Sequence, residues 1–101
     1  MAIEFTWDAE KAKRNISKHG VSFETAKQVF FDPYLIILED CDFAGEVRYQ
    51  AIGHTAARKR LLVAVFVDRS DEEKEIVRII SAREANQYEQ GTYADQFEEG
   101  S

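Results

Sequence analysis

Seven consecutive apolar residues at positions 61–67, LLVAVFV, constrain the fold of this chain more than any other feature. An alternating strand has one polar face, whereas a continuously apolar run favours a strand that is buried on both faces of a sheet. Neighbouring segments also have strand patterns, since Val47–His54 alternates in polarity and residues 34–38 and 75–81 are apolar-rich. The sequence therefore predicts a sheet with residues 61–67 at its centre.

The first third of the chain has helical signals instead. Asp8 is a good N-cap for a helix over residues 9–18, and Gly20 suits the left-handed position that ends such a helix. Ser22 then caps a second helix, which ends at Asp32 because the residue before a proline avoids the helical conformation.

A last helix is predicted near the C-terminus. Ser81 and Glu84 have the spacing of a capping box, so this helix should begin after Ser81, and Gly91 is expected to break it. With residues 3–6 as a first strand, the element order is β-α-α-β-β-β-β-α. This order predicts an α+β fold with two N-terminal helices, an antiparallel sheet of four to five strands and a C-terminal helix, the helices packing on one face of the sheet.

Residues 1–93 are expected to form a single domain, and residues 94–101 an acidic, frayed tail. The net charge of the 101 residues is −6, yet all 13 Lys and Arg lie within residues 1–83, so a local basic site is compatible with the acidic total. No apolar run approaches the ~20 residues of a membrane span, and the N-terminus lacks the apolar segment of a signal peptide. With Cys41 as the single cysteine, these features predict a cytoplasmic protein without disulfides or membrane contact.

Several short motifs follow one another in a fixed order along residues 3–93. They are Phe5-Thr6-Trp7-Asp8, Asn15, Lys18-His19-Gly20-Val21-Ser22-Phe23-Glu24, Phe30-Phe31-Asp32-Pro33, Arg48-Tyr49, Ala51-Ile52-Gly53, the strand 61–67, Ile79-Ile80-Ser81-Ala82-Arg83, Glu89 and Tyr93. Together they resemble the BrnT family of type II toxins, which are ribonucleases with a RelE-like fold.

The resemblance implies a toxin that cleaves RNA and inhibits translation and growth. From the residues themselves, we expect no cofactor. The resemblance also implies a BrnA-like antitoxin with a ribbon-helix-helix DNA-binding part. The toxin would then reach operator DNA only through this antitoxin, in a complex such as a heterotetramer that represses its own promoter.

Two positions depart from the family pattern. His54 stands where an arginine often follows the glycine, and the last helix lacks its usual Arg and Lys residues. Both changes remove positive charge that would contact RNA phosphates. They favour an alternative interpretation, in which the chain is a catalytically weak or inactive antitoxin-binding module that acts in transcriptional autoregulation.

RNA cleavage without a metal ion requires a group that deprotonates the 2′-OH, cations that stabilise the phosphorane, and an acid that protonates the 5′-oxygen. No His, Cys and Asp residues have metal-ligand spacing, which argues against a zinc site. The candidate catalytic residues are His19, Arg48, Arg78, Arg83, His54 and Glu89.

Each of these candidates has a structural alternative. His19 could move protons, or its imidazolium could cap the last carbonyls of the first helix. Arg83 would sit just inside the last helix, near free backbone N–H groups that attract anions, or it could pair with Glu84. Glu89 could act as a base or orient an arginine.

Arg48 and Arg78 lie in the middle of predicted strands, where a charge needs either a ligand or an ion-pair partner. His54 ends a strand, where a lone histidine is more often structural than catalytic. Candidates for RNA binding are Lys11, Arg14, Lys18, Arg58 and Tyr49. The first three recur on one helical face, which could equally be an exposed basic surface. Arg58 could belong to a solvated turn, and Tyr49 could pack in the core.

Overall fold

The computed structural model describes residues 2–41 and 44–98, except for the side chain of Cys41. The elements in chain order are β1 (Ile3–Thr6), α1 (Ala9–His19), α2 (Phe23–Ala26), a 3-10 segment (Lys27–Phe31), β2 (Ile36–Cys41), β3 (Val47–His54), a short 3-10 turn (Ala56–Arg58), β4 (Leu61–Asp68), β5 (Glu75–Glu84) and α3 (Gln87–Asp95). This arrangement confirms the mixed α and β prediction. The second predicted helix is only partly α-helical, because its second half tightens into the 3-10 segment.

The five strands form one sheet in the order β1-β5-β4-β3-β2, so β4 is the central strand that its apolar run predicts. The β2, β3, β4 and β5 strands pair antiparallel with their neighbours, but β1 pairs parallel with β5. A fully antiparallel sheet was therefore a wrong prediction. Since β1 and β5 lie at opposite ends of the chain, no hairpin dictates their relative direction.

Helices cover both faces of the sheet, which corrects the prediction that they pack on one. One core cluster contains Ala51, Leu62 and Ala64 together with residues of α2, and a second contains Ile52 and Val63 together with Tyr93 of α3. Successive strand residues point to opposite faces, so these clusters lie on opposite sides of the sheet. We call the sides the α1 face and the α3 face.

A β-bulge in β5 changes which of its residues share a face. Arg78 pairs with Val67, Ser81 with Val65 and Arg83 with Val63, and the register shifts between Val65 and Phe66. Because the three valines alternate along β4, their three partners all lie on the α3 face. Strict alternation would have separated Arg78 from Arg83.

Local capping signals fix the ends of α1 as predicted. The Asp8 carboxylate accepts hydrogen bonds from the backbone N–H groups of Glu10 and Lys11, and Gly20 has the left-handed backbone (φ 69°) that ends the helix. Gly53 has a different role, since a Cβ there would come within 2.9 Å of the Val29 carbonyl oxygen. Only glycine lets the 3-10 segment pack this closely on β3.

The start of the last helix differs from its prediction. Ser81 and Glu84 lie in β5, whose pairing with β4 continues to Glu84. The capping box is formed instead by Asn86 and Glu89, and Gly91 lies within α3. Strand pairing has therefore overridden the first capping signal, and a second one five residues later starts the helix.

The predicted boundary at residue 93 falls inside α3, which continues to Asp95. Phe97 then packs its ring against Tyr34 and Tyr93, with centroid distances of 4.9 and 5.7 Å. The last three positions of the expected frayed tail, 99–101, lie outside the described residues. Within the described chain, no helix has the length and apolar character needed to cross a membrane.

Candidate functional site

A cavity of about 300 Å³ lies between α1 and the edge of β5. The α1 helix contributes Lys11, Arg14, Asn15, Lys18 and His19, and β5 contributes Ile80 and Ser81. We call this cavity the cationic groove. It brings together four of the sequence-predicted candidates, namely Lys11, Arg14, Lys18 and His19.

The buried side chain of Asn15 holds α1 at this edge. Strand β1 pairs with β5 only as far as Arg78, so the backbone of Ala82 has no strand on that side. The Asn15 amide replaces the strand: its Oδ1 accepts from the Ala82 N–H at 3.1 Å, and its Nδ2 donates to the Ala82 carbonyl at 2.8 Å. Nδ2 also donates to the Val21 carbonyl at 2.8 Å, which ties the helix corner to the same point.

The groove is positively charged and contains no carboxylate among its lining residues. Within the described chain, none of Lys11, Arg14, Lys18 and His19 forms a salt bridge. Beyond the lining, the backbone N–H of Lys11 and the charges of Lys11 and Arg14 lower the pKa of Asp8. Side-chain cations without partners in a concave site form a ready surface for an anion.

The cationic groove adjoins the α3 face, which carries the predicted arginines. The bulge places Arg78, Ser81 and Arg83 in one line on this face. Arg48 lies there too, because it alternates with Ile52 of the α3-face cluster. It stands opposite Asp40 in the pairing of β2 and β3.

Arg83 forms a closed ion pair with Glu89 of α3. Its two terminal nitrogens each donate to one carboxylate oxygen at 2.7 Å, and the Glu89 side chain is only 8% exposed. The hydrogen bonds from Arg83 lower the pKa of Glu89 even though burial raises it, and the same hydrogen bonds raise the pKa of Arg83. This bidentate pair fastens α3 to the sheet.

The surroundings of Arg83 correct two predictions. Arg83 lies in β5 and not inside the last helix, because the strand continues to Glu84. Its salt-bridge partner is Glu89 and not Glu84, whose carboxylate accepts a hydrogen bond from Arg60 at 2.6 Å.

The second predicted histidine belongs to a different cluster. Asp32, His54 and Tyr93 meet where the 3-10 segment, β3 and α3 come together, and we call them the Asp32 cluster. The Asp32 carboxylate accepts hydrogen bonds from Tyr93 Oη at 2.6 Å and from the backbone N–H groups of His54 and Tyr34, each at 2.8 Å. Burial raises the pKa of Asp32, but these hydrogen bonds outweigh it, so the pKa lies below its usual value.

The environment of His54 favours the neutral form of its imidazole. Burial and then the charge of Arg58 lower its pKa, while Asp32 opposes them. Its Nδ1 is buried without a hydrogen-bond partner among the described residues and lies 3.9 Å from Asp32 Oδ2. Burial, together with the hydrogen bond to Asp32, raises the pKa of Tyr93.

A second cavity of about 300 Å³ borders the Asp32 cluster, and His54 and Arg58 line it. None of its lining residues belongs to the cationic groove, so the two predicted histidines serve separate cavities. Tyr49 lies on the α1 face, where its ring stacks on Phe66 with a centroid distance of 5.3 Å.

Sequence reasoning assigned no site role to Asn15, Asp32 or Ser81. Asp32 served only as a helix stop before proline, and no local signal links Asn15 to Ala82, 67 positions away. Ser81 lines the groove together with Ile80, where the pairing of β5 with β4 shifts. Among the residues that the structure describes, no three His, Cys, Asp or Glu side chains form a group that could hold a metal ion.

One family model matches the chain over residues 7–89, and its description is "ribonuclease toxin, BrnT, of type II toxin-antitoxin system". The match covers α1, all of β2 to β5 and the first turn of α3, so it includes both the cationic groove and the Arg83–Glu89 pair. No curated protein matches the chain.

Proposed function

We propose that this chain, which belongs to the BrnT family of ribonuclease toxins of type II toxin-antitoxin systems, is an endoribonuclease that binds RNA along the cationic groove and the adjoining α3 face without a catalytic metal ion. The observation that carries the proposal is the set of basic side chains in the groove, none of which forms a salt bridge within the described chain. Cations that the protein does not neutralise are available for phosphate oxygens.

In the proposed reaction, the 2′-oxygen attacks the adjacent phosphorus and the 5′-oxygen leaves, giving a 2′,3′-cyclic phosphate. His19 is the acid–base group of the groove: it takes the proton from the 2′-oxygen and returns it to the leaving 5′-oxygen. Ser81 belongs to the same lining. Lys11, Arg14 and Lys18 contact the phosphates and stabilise the phosphorane.

Arginines of the α3 face extend this phosphate-binding surface. Arg78 and Arg48 supply cations from β5 and β3. Glu89 is a positioning residue, since it holds both terminal nitrogens of Arg83 in a fixed plane beside Ser81. The exposed third of the Arg83 side chain remains available to a ligand.

The fold and the partner complete the proposal. We assign the chain to the RelE-like class, on the basis of two N-terminal helical segments, a sheet and a C-terminal helix. We further propose that a BrnA-like ribbon-helix-helix antitoxin neutralises the toxin and connects it to operator DNA. A short neighbouring reading frame with a ribbon-helix-helix pattern would support this partner.

The test is cleavage of an end-labelled single-stranded RNA by purified protein, with and without EDTA. We expect cleavage in both conditions and a loss of about 10²–10⁴-fold in rate for His19→Gln, with an unchanged melting temperature. The same substitution at His54 is the matched comparison. Loss of cleavage only with His54→Gln would transfer the acid–base role to the Asp32 cluster and contradict the proposal.

One observation favours a second candidate, the antitoxin-binding module without ribonuclease activity. Arg83 has both terminal nitrogens bound to Glu89, so its charge is largely neutralised within the protein. If the wild-type protein leaves RNA intact but binds its antitoxin, this second function replaces the first.

A further inference from the structure

The helices leave part of the α1 face open. A second groove, of about 190 Å³, lies there between the 3-10 segment and the ends of the strands. Six apolar side chains line it: Ile3, Phe30, Leu35, Ile37, Phe66 and Val77. We call it the acid-rimmed groove, because its remaining lining residues are Asp68, Glu75 and Ser70.

Apolar surface remains exposed at this groove. Ile37 of the edge strand β2 is 50% exposed, although it faces the same side as the main core. The covering elements do not reach this end of the sheet, because α1 is fixed beside Ala82 and the 3-10 segment ends at Phe31. An exposed apolar groove rimmed by polar groups is typical of a binding surface for another polypeptide.

The negative charge at the rim of the acid-rimmed groove determines which kind of partner can bind there. Neither Asp68 nor Glu75 forms a salt bridge within the described chain. Glu39 lies on the same face, since it alternates with Ile37 and stands opposite Tyr49. These carboxylates repel RNA, and they also repel a second copy of a chain whose net charge is −6.

The floor of the acid-rimmed groove indicates how a partner binds to it. It is a sheet face, and the inner strands β5 and β4 are paired on both sides, so an occupant that lies over this face binds through side chains. An amphipathic helix does this by placing an apolar stripe in a groove, with its polar residues against the rim.

We propose that the acid-rimmed groove binds an amphipathic helix of a partner polypeptide, with an apolar stripe flanked by Lys or Arg. This binding site is distinct from the proposed RNA site, which comprises the cationic groove between α1 and β5 and the adjoining α3 face. The proposal rests on the proposed function only in taking the partner to be the antitoxin. The helix would anchor the partner without occupying the cationic groove.

The test uses a synthetic helical peptide of about 18 residues with a leucine stripe and flanking lysines, and a second peptide with glutamates in place of the lysines. Calorimetric titration of the full chain should show binding of the lysine peptide and none of the glutamate peptide. The groove variant is Ile37→Ser with Asp68→Asn and Glu75→Gln. The matched control, Tyr88→Ser with Glu10→Gln and Asp95→Asn, changes the same residue classes at exposed positions of α1 and α3, away from the groove.

We expect the groove variant to weaken binding of the lysine peptide at least ~10-fold, whereas the control changes it less than about twofold. Equal binding by both variants, or binding of the glutamate peptide, would overturn the proposal. RNA cleavage is measured on the same samples, so that failure of the RNA proposal is seen separately. Cleavage should be retained by the groove variant, and absence of cleavage in the wild type would leave the peptide result valid by itself.

Discussion

The cationic groove is a cavity of about 300 Å³, and the Asp32 cluster borders another cavity of the same volume. Each region contains one histidine, but the two differ in whether their charged groups have partners within the protein. In the groove, the cations of α1 form no salt bridge within the described chain. In the cluster, one carboxylate accepts three hydrogen bonds from three separate parts of the chain.

This difference indicates that the cationic groove is a surface for a ligand, whereas the Asp32 cluster stabilises the fold. The hydrogen bonds to Asp32 join the 3-10 segment, β3 and α3, and they lower the pKa of Asp32 against the effect of burial. A carboxylate satisfied in this way has little capacity left for a substrate. The groove has the opposite property, since its lining cations form no salt bridge with a carboxylate of the described structure.

The largest effect on stability is expected at the Arg83–Glu89 pair, which belongs with the Asp32 cluster as a connection between α3 and the sheet. Arg83→Ala leaves the buried Glu89 carboxylate without its cation and should lower the free energy of unfolding by about 3 kcal/mol. Urea denaturation measures this loss. Arg14→Ala in the groove is the control and should cost less than about 0.5 kcal/mol.

This prediction affects any activity assay on Arg83. A loss of cleavage in Arg83→Ala could come from the missing cation in the site or from the weaker attachment of α3 to the sheet. Arg83→Lys keeps a cation opposite Glu89 and loses only the bidentate geometry. If Arg83→Ala and Arg14→Ala prove equally stable, the pair does not fasten α3 and the contrast between the regions fails.

A smaller effect is expected at Asp32 itself. Asp32→Asn keeps the size of the side chain but removes the charge that strengthens three hydrogen bonds, which should cost about 2 kcal/mol. Thermal unfolding measures the change. Asp68→Asn is the matched control, because Asp68 is exposed and its carboxylate accepts hydrogen bonds from the nearby Ser70 and not from distant elements. Equal destabilisation by both substitutions would contradict a special role for Asp32.

The smallest effect concerns pH and comes from His54. Its pKa in the folded protein lies below the ordinary value of 6.5, because of burial and the charge of Arg58. As the pH falls below about 6.5, the unfolded chain binds the proton more readily, so the free energy of unfolding decreases. The lowered pKa values of Asp32 and Glu89 act in a separate window, since the stability they provide is lost only at more acidic pH.

His54→Gln should therefore flatten the dependence of stability on pH between about 7 and 5. Above about pH 8, where nearly all of the imidazole is neutral in both states, the variant and the wild type should have parallel curves. A variant that keeps the full wild-type slope below pH 6.5 would show that His54 is not held neutral by its surroundings.

Local signals predicted much of the fold but little of the arrangement of the site. The bounds of Val47–His54, the Asp8 cap and the Gly20 helix end follow from neighbouring residues, and all three are confirmed. The contacts that build the two regions join distant residues instead. Asn15 binds Ala82 across 67 positions, and Tyr93 binds Asp32 across 61.

The bulge in β5 shows why the side of the sheet on which a residue lies was harder to predict than the strand that contains it. A period of two assigns Arg78 and Arg83 to opposite sides, and one extra residue reverses that assignment for every position after it. The preference for a bulge depends on tertiary packing, so the common face of Ser81 and the arginines could not be read from the residues of β5 alone.

The central claim, that the cationic groove is where RNA binds, is tested most directly by the salt dependence of RNA affinity. The ligand is a 2′-O-methyl oligonucleotide, which cannot be cleaved, and the variant is Lys11→Ala with Arg14→Ala and Lys18→Ala. Three lost phosphate contacts should reduce the slope of log K against log salt by about 2. The control removes three exposed lysines outside the groove, Lys13, Lys59 and Lys74, and should keep the wild-type slope. A groove variant with the wild-type slope, or a control that loses as much, would contradict the account.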